Sequence, residues 1–210
     1  MNQSGKLILA LPKGRVLKKF CTLLKNTKFN LVENPENTRK ILLKTKSPDL
    51  QVLIIRGWDV PVFVSSGVAH VGVVGKDILL ENNSEEFIEL MDLQIGKCRI
   101  SLAGQSKELL KEPRLRVATK YTKLAEEYLS SKAIQPDIIY LRGSQEIAPS
   151  LNLSDAIIDL VETGRTLTEN SLVEIDIIRN ISSRLIANKA ALKTKGDLIE
   201  ELKTELLNSL

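Results

Sequence analysis

The sequence predicts a two-lobed α/β fold, and three observations predict it. Short aliphatic runs alternate with helical periodicity along most of the 210 residues. The runs are apolar at successive positions, as expected of parallel strands covered by helices on both faces. The pattern breaks near residue 95, dividing the chain into a first lobe of 1–94 plus 179–210 and a second lobe of 95–178. The final helices cross back, so the first lobe is discontinuous. Two lobes joined by crossing strands leave a cleft, the usual place for a ligand.

The elements follow in order. KLILAL (6–11) reads as a strand, and 14–26 as a helix with Val16, Leu17, Phe20, Leu23 and Leu24 on one face. QVLIIR (51–56) is a strand, followed by a helix opening at Asp59 as N-cap with Pro61 in its first turn. HVGVVG (70–75) is a buried strand leading into a short helix at 76–82. Strands at 98–104 and 115–119 follow the break. A helix at 121–133 turns Leu124, Tyr128 and Leu129 inward. Strands at 137–141 and 155–161 enclose a short helix at 144–151, and 173–178 is one more strand. The tail, 182–209, reads as helical, with Leu198, Leu202 and Leu206 at four-residue spacing.

Composition narrows the function. Hydrophobic residues are 43%, charged residues 27% and aromatics 4%, which describes an aliphatic-rich globular protein and disfavours an aromatic platform for single-stranded nucleic acid. The net charge of +4 comes from scattered residues and is compatible with an anionic substrate without requiring one. Cys21 and Cys98 lie far apart in apolar contexts and read as buried free thiols. LILAL is too short for a signal-peptide core and no run approaches a bilayer-spanning length, so a cytoplasmic location with no membrane association is expected.

The most informative stretch is DAIIDLVETGRTLTEN (155–170). A buried strand ends just past Asp159 and turns through Thr163, Gly164, Arg165 and Thr166. Backbone N–H groups in such a turn suit a phosphate monoester, Gly164 allows close approach, and Asp159 is placed to accept from a ribose diol. The competing reading is a strand-to-helix turn whose threonines merely cap. LPKGRV (11–16) sets Lys13, Gly14 and Arg15 between strand and helix, as a polyphosphate site or as solvated surface. Arg56 ends a strand, where α/β sheets present ligand groups, and Lys76 and Asp77 follow another strand end. Arg39 lies in a polar stretch that periodicity does not interpret. Glu146 reads equally as a site acid or an exposed helix residue. His70, the only histidine, has no nucleophile partner and reads as structural; Trp58 lines a cleft or covers core. Several cations and a Gly-Thr turn without a nucleophile–base pair favour a phosphorylated metabolite over acyl transfer or redox chemistry.

LALPKGRV, RGWDVPVFVSSGVAHVGVVGKD, RVATKYTKLAEEYL and SDAIIDLVETGRTLTENSLVEI together resemble the ATP phosphoribosyltransferases that open histidine biosynthesis, in their short form. The resemblance implies a two-lobed, periplasmic-binding-protein-like (type II) fold with a cleft between the lobes. It implies that N1 of the ATP adenine attacks C1 of phosphoribosyl pyrophosphate, with Mg²⁺ accompanying the polyphosphates. Thr163, Gly164, Arg165 and Thr166 would hold the 5′-phosphate, and Asp159, with Asp155 as a weaker candidate, the ribose hydroxyls. Lys13, Arg15, Arg39 and Arg56 would face pyrophosphate or ATP phosphates. A regulatory subunit resembling histidyl-tRNA synthetase, in a hetero-octamer, is the implied partner, and nucleic acid is not expected as one. The competing readings are a non-catalytic anion-binding module and the effector domain of a DNA-binding regulator, the second disfavoured because no helix-turn-helix segment precedes the lobes.

Overall fold

The structure, a computed structural model, describes residues 5–82 and 84–210. The chain divides into two compact units: one runs to Gly96 and resumes over Ser182–Leu210, and the other is Lys97–Ile181. The elements up to the division are β1 (Leu7–Pro12), α1 (Arg15–Leu24), β2 (Leu42–Lys44), β3 (Leu50–Ile55), α2 (Val60–Ser65), β4 (Val71–Gly75), α3 (Lys76–Glu81) and β5 (Phe87–Asp92). The second unit holds β6 (Cys98–Gly104), β7 (Arg114–Thr119), α4 (Thr122–Ser131), β8 (Gln135–Tyr140), β9 (Ala156–Val161), α5 (Arg165–Glu169) and β10 (Val173–Ile181). The chain returns to the first unit with β11 (Ser183–Asn188), α6 (Lys189–Thr194) and α7 (Gly196–Ser209).

Among the described residues the first unit builds a sheet in the order β2-β3-β1-β4-β11-β5 and the second a sheet in the order β10-β6-β9-β7-β8. Both sheets are mixed, where uniformly parallel ones are expected from the sequence. β1 pairs parallel with β3 and β4, and β7 pairs parallel with β8 and β9, while β11 and β6 enter antiparallel. In the first unit, successive residues of one strand reach separate cores. Leu9 packs with Phe20, Leu24, Leu202 and Leu206, and Ala10 packs with Val60, Val64 and Ile186 on the opposite face. Burial on both faces explains the continuous apolar runs. Each such aliphatic side chain contributes about 1.5–3 kcal/mol when removed from water. α2 lies so close to β4 that a Cβ on Gly72 would come within 2.7 Å of Val60 Cγ1, so only glycine fits there.

Several expectations need correction. The tail is not wholly helical, because 183–188 is a strand between β4 and β5; its Leu185, Ile186 and Ala187 are buried on both faces, and no alternation marks it. The stripe on α7 is Ile199, Leu202 and Leu206, with Leu198 at its edge. The helix at 144–151 shrinks to a 3₁₀ turn at Gln145–Ile147, since Ser144 is left-handed and Pro149 cannot donate the bond that would continue it. Strand β2, of three residues, and strand β5, partly exposed along its length, escape the pattern. Asp59 occupies the N-cap position of α2, but its side chain makes no capping hydrogen bond. Tyr128 turns sideways to donate to Asp176 Oδ2 at 2.7 Å. Cys21 and Cys98 are not joined in a disulfide, and both are only half-buried.

His70 is built into the first sheet. Its Nδ1 accepts from the Ile8 N–H at 2.9 Å, its own N–H donates to Ile8 O, and its carbonyl accepts from Asn188 N–H. Nδ1 can accept only when unprotonated. Burial, and secondarily the nearby Lys195 charge, lower its pKa below the usual 6.5. The unfolded chain therefore binds the proton first as pH falls. The stability His70 contributes is present above about pH 6.5 and is lost as pH drops towards the lower folded-state value. As the only histidine, it dominates side-chain titration in that range. Melting midpoints measured between about pH 7.5 and about pH 5.5 should fall for the natural chain. They should stay nearly flat for His70→Asn, whose Oδ1 keeps an acceptor for Ile8; equal slopes would exclude His70 as the source.

Candidate functional site

In the first unit the parallel trio β3-β1-β4 ends on one edge of its sheet. The register pairs Pro12 with Ile55, and Lys13 N–H donates to Ile55 O at 2.8 Å. Lys13 and Arg56 therefore follow adjacent strand ends. Gly14 caps α1 with φ 99°, and Arg15 opens a helix whose first turn carries no acidic residue. A helix start that presents N–H groups and cations, with no carboxylate of its own, suits an external anion. A cavity of about 580 Å³ opens here, lined by Lys13, Gly14, Leu17, Cys21, Arg39 and Lys40 among others. Burial, with a smaller contribution from Glu36, raises the Cys21 thiol pKa and keeps the thiol protonated.

Lysines beside the cavity and at the neighbouring strand end are committed to carboxylates. Lys18 is bonded to Glu36 at 2.6 Å, Lys40 to Glu33 at 2.7 Å and Lys76 to Glu89 at 2.6 Å. Among the described residues no carboxylate lies within ion-pair reach of Lys13, Arg39 or Arg56. The structure thus places Lys13, Gly14 and Arg39 around one cavity and Arg56 at the neighbouring strand end. Trp58, on the turn after Arg56, is 42% exposed and so is not core.

In the second unit β9 leads into the turn at 162–164. Thr163 and Thr166 are exposed, and Gly164 has φ 81°, in the left-handed region that favours glycine. Arg165 N–H leans on Thr163 Oγ1 at 3.4 Å. Among the described residues, nothing accepts from the backbone N–H of Thr163, Gly164 or Thr166. α5 has only five residues, so these amides and the two hydroxyls, more than its dipole, are what the turn offers to an anion. Asp159 lies two residues before the strand end, where Oδ1 accepts from Lys120 Nζ at 2.9 Å and from Leu160 N–H at 2.8 Å. Its other oxygen is left to accept from a ligand. Glu146 sits after β8, in the 3₁₀ turn that packs against β9, on the end of the parallel trio that carries the turn.

Two candidates behave differently. Asp155 precedes β9 and so lies at the opposite end of the strand from the turn. Arg116 clamps it, with Nη2 to Oδ1 at 2.6 Å and the Arg116 N–H to Oδ2 at 2.8 Å, and these bonds hold its pKa below the usual range. It is a structural clamp. The Arg165 guanidinium points to solvent and bonds Glu169 at 2.7 Å, leaving only its backbone in the turn. Sequence reasoning missed Lys120 and Arg99. Lys120 directly follows β7, the same strand-end signal that singles out Arg56, so it was readable; Arg99 was not, because its partners are 63 and 75 residues away.

A family model described as ATP phosphoribosyltransferase matches residues 56–208. An ATP phosphoribosyltransferase of Saccharophagus degradans is 48% identical over 198 residues, covering 94% of this chain and 93% of that protein. The ATP phosphoribosyl transferase (HisG:HisZ) complex from Thermotoga maritima superposes with a TM-score of 0.83 at 34% identity, over 97% of this chain and 98% of that one. The periplasmic aliphatic sulphonate binding protein SsuA of Escherichia coli superposes with a TM-score of 0.64 at 12% identity, over 99% and 69% of the two chains. That likeness concerns the fold alone, which is two-lobed and of the type II periplasmic-binding-protein kind. A glycine turn with open amides, cations beside one cavity and relatives nearly half identical along most of their length converge on one answer: the chain belongs to the ATP phosphoribosyltransferase family, and its 210 residues fit the short form.

Proposed function

We infer that the protein transfers the 5-phosphoribosyl group of phosphoribosyl pyrophosphate to N1 of the adenine of ATP, giving 1-(5-phosphoribosyl)-ATP and pyrophosphate, the first step of histidine biosynthesis. The observation that carries this reading is the exposed turn after β9, with unsatisfied amides four to seven residues beyond a carboxylate that keeps an oxygen open. Thr163, Gly164 and Thr166, with the Arg165 amide, hold the 5′-phosphate, and Asp159 accepts from the ribose hydroxyls. Glu146, on the same sheet end, is a further candidate for the hydroxyls.

As the new N1–C1 bond forms, the C1–O bond to pyrophosphate breaks and its electron pair leaves with the pyrophosphate. Positive charge builds on the ribose and negative charge on the leaving group. Cations already in place stabilise that leaving group without reorganising, and alignment of the two substrates supplies much of the remainder. Lys13, Arg39 and Arg56, which among the described residues have no carboxylate in ion-pair reach, fit that role, and Gly14 and Arg15 at the start of α1 adjoin them. No covalent intermediate is needed, which accords with the absence of a nucleophile–base pair at the site.

Mg²⁺ enters this reading as part of the substrates, bound to their phosphates. Among the described residues no group of three or more His, Cys, Asp or Glu could hold a metal ion. The Thermotoga maritima structure is a HisG:HisZ complex. On that ground we propose a regulatory subunit here too, resembling histidyl-tRNA synthetase, in a hetero-octamer. A reaction that consumes ATP supports a cytoplasmic location, and among the described residues no helix is long and apolar enough to cross a membrane.

The direct test is pyrophosphate release from ATP plus phosphoribosyl pyrophosphate with Mg²⁺, with and without the regulatory subunit; no turnover in either condition would remove the enzymatic reading. Arg56→Ala should lower turnover by roughly 10²–10³-fold, the effect of losing one preorganised charge contact. Wild-type turnover in that variant would take Arg56 out of the mechanism. Gly164→Val forces a β-branched residue into the left-handed region at about 1–2 kcal/mol. The nearest atom to its Cβ is 4.0 Å away, so the protein has room for it and only the turn is distorted. Calorimetry should then show weakened phosphoribosyl pyrophosphate binding; unchanged affinity counts against the turn as the phosphate site.

A further inference from the structure

We propose that Arg99 is a positioning residue that aims the phosphate-binding turn, with Glu174 and Ser101 holding it in place. The proposal rests on the function inferred above and extends it to residues outside the turn.

Arg99 lies near the start of β6, antiparallel to β9, and its register partner is Val161, the last residue of β9. Its side chain therefore stands where the strand gives way to the turn. All three guanidinium nitrogens are engaged. Nε donates to Glu174 Oε1 at 2.6 Å and Nη2 to Glu174 Oε2 at 2.7 Å, a two-pronged pairing; Nη1 donates to the carbonyl of Glu162 at 3.2 Å. Ser101 Oγ donates to Glu174 Oε1 at 2.5 Å and fixes the carboxylate from the other side. The pair is roughly three-quarters shielded from solvent, with side-chain exposures of 27% and 25%. A planar fork in this setting has one orientation, which lysine cannot reproduce.

The bond to Glu162 has a directional consequence. In a trans peptide the C=O and the following N–H point in opposite directions. Holding the Glu162 carbonyl towards Arg99 turns the Thr163 N–H away from Arg99, and that N–H is one of the unsatisfied donors of the turn. Arg99 thus acts on the ligand through the peptide plane that opens the turn. Glu174 would by itself repel a phosphate nearby, and the fork neutralises it.

Arg99→Met keeps the stem and removes the fork. In the full chain with its regulatory subunit, we expect phosphoribosyl pyrophosphate affinity, read by calorimetry, to fall on the order of tenfold through misplacement of the amides. The KM for ATP should stay within about twofold. Hydrogen exchange should speed up at residues 163–166 and not across β7 or β8. A lower melting midpoint with unchanged phosphoribosyl pyrophosphate affinity would reduce Arg99 to a structural ion pair and overturn the proposal. Glu174→Gln, which retains a neutral acceptor for the fork, provides a milder variant should Arg99→Met fold poorly; its affinity should fall between those of the two proteins, and full wild-type affinity with unchanged exchange at the turn would count against the brace. The double variant R99M/E174Q separates aim from charge. Persistent loss of affinity supports positioning, and recovery to the wild-type value means that only the repulsion of an unpaired Glu174 was at work. If the natural protein neither binds phosphoribosyl pyrophosphate nor releases pyrophosphate, the functional reading fails on its own. Exchange at the turn in Arg99→Met then still decides the brace, faster exchange supporting it and unchanged exchange overturning it.

Discussion

Strand direction is the constraint on which the rest depends. Parallel strands deliver their ends to one edge of a sheet, and the residue after each strand is delivered with them. In the first unit β3, β1 and β4 bring Arg56, the Lys13-Gly14-Arg15 segment and Lys76 to one edge. In the second, β7, β8 and β9 do the same for Lys120, the 141–147 segment and the 162–166 turn. A strand that enters antiparallel begins where its neighbour ends. Arg99 of β6 accordingly sits beside Val161, and Arg184 of β11 beside Val74, the penultimate residue of β4. Arg184 there joins Glu89 and Asp92, and Glu89 in turn holds Lys76. Each unit thus uses an arginine from an antiparallel strand to organise charge at a parallel edge.

This geometry also says which parts of the fold were legible. β1, β3, β4 and β9 announce themselves because both of their faces are buried, and the apolar run is the direct imprint of that burial. The turn after β9 is legible because Gly164 must take a positive φ and the hydroxyls beside it have a limited repertoire. Lys13, Arg39 and Arg56 were legible as residue types, but their lack of acid partners was not, since pairing depends on segments distant in sequence. The same holds for Arg99, whose role follows from its register against β9 and its reach to β10. Asp155 stands apart from the other candidates for a simpler reason. It stands before the strand and not after it, so strand direction sends it to the wrong edge, where Arg116 takes it up. β11 was hidden because a strand flanked by good helix formers and lacking alternation reads as more of the helices that follow it.

The charge pattern carries the functional argument beyond fold. Lys76, Arg99, Arg116, Lys120 and Arg165 pair with nearby carboxylates, whereas among the described residues Lys13, Arg39 and Arg56, like several other surface cations, have no carboxylate in ion-pair reach. What distinguishes the three is their place beside one cavity and at the adjoining strand end. Exposed ion pairs contribute little to stability, so the pairing is more informative as a map of commitment than as a source of energy. Lys13 and Arg39 line one cavity together with Lys40 and the Lys18–Glu36 pair, and like charges around one cavity repel one another. A polyanion relieves that repulsion, and the relief grows as charge accumulates on a departing pyrophosphate. A leaving group is stabilised most effectively by charges whose arrangement was settled on folding, before the reaction begins.

Asp159 adds the final step. Its bond to Lys120 makes the pair nearly neutral as a unit, while Asp159 keeps acceptor capacity for hydroxyl donors. A bare carboxylate beside a phosphate site would weaken that site, and a fully committed one would have nothing to offer a ribose. Glu174, eight residues beyond the turn, meets the same conflict and resolves it in the opposite way, with its oxygens taken by Arg99 and Ser101. On the proposed reading, two acids on one sheet face divide the work: Asp159 keeps an oxygen for the sugar, and Glu174 is consumed in holding the arginine proposed to aim the turn. Exchanging their partners would leave a phosphate facing an open carboxylate and a ribose facing a closed one, which is why the placement of the cations, more than that of the acids, decides what this edge can bind.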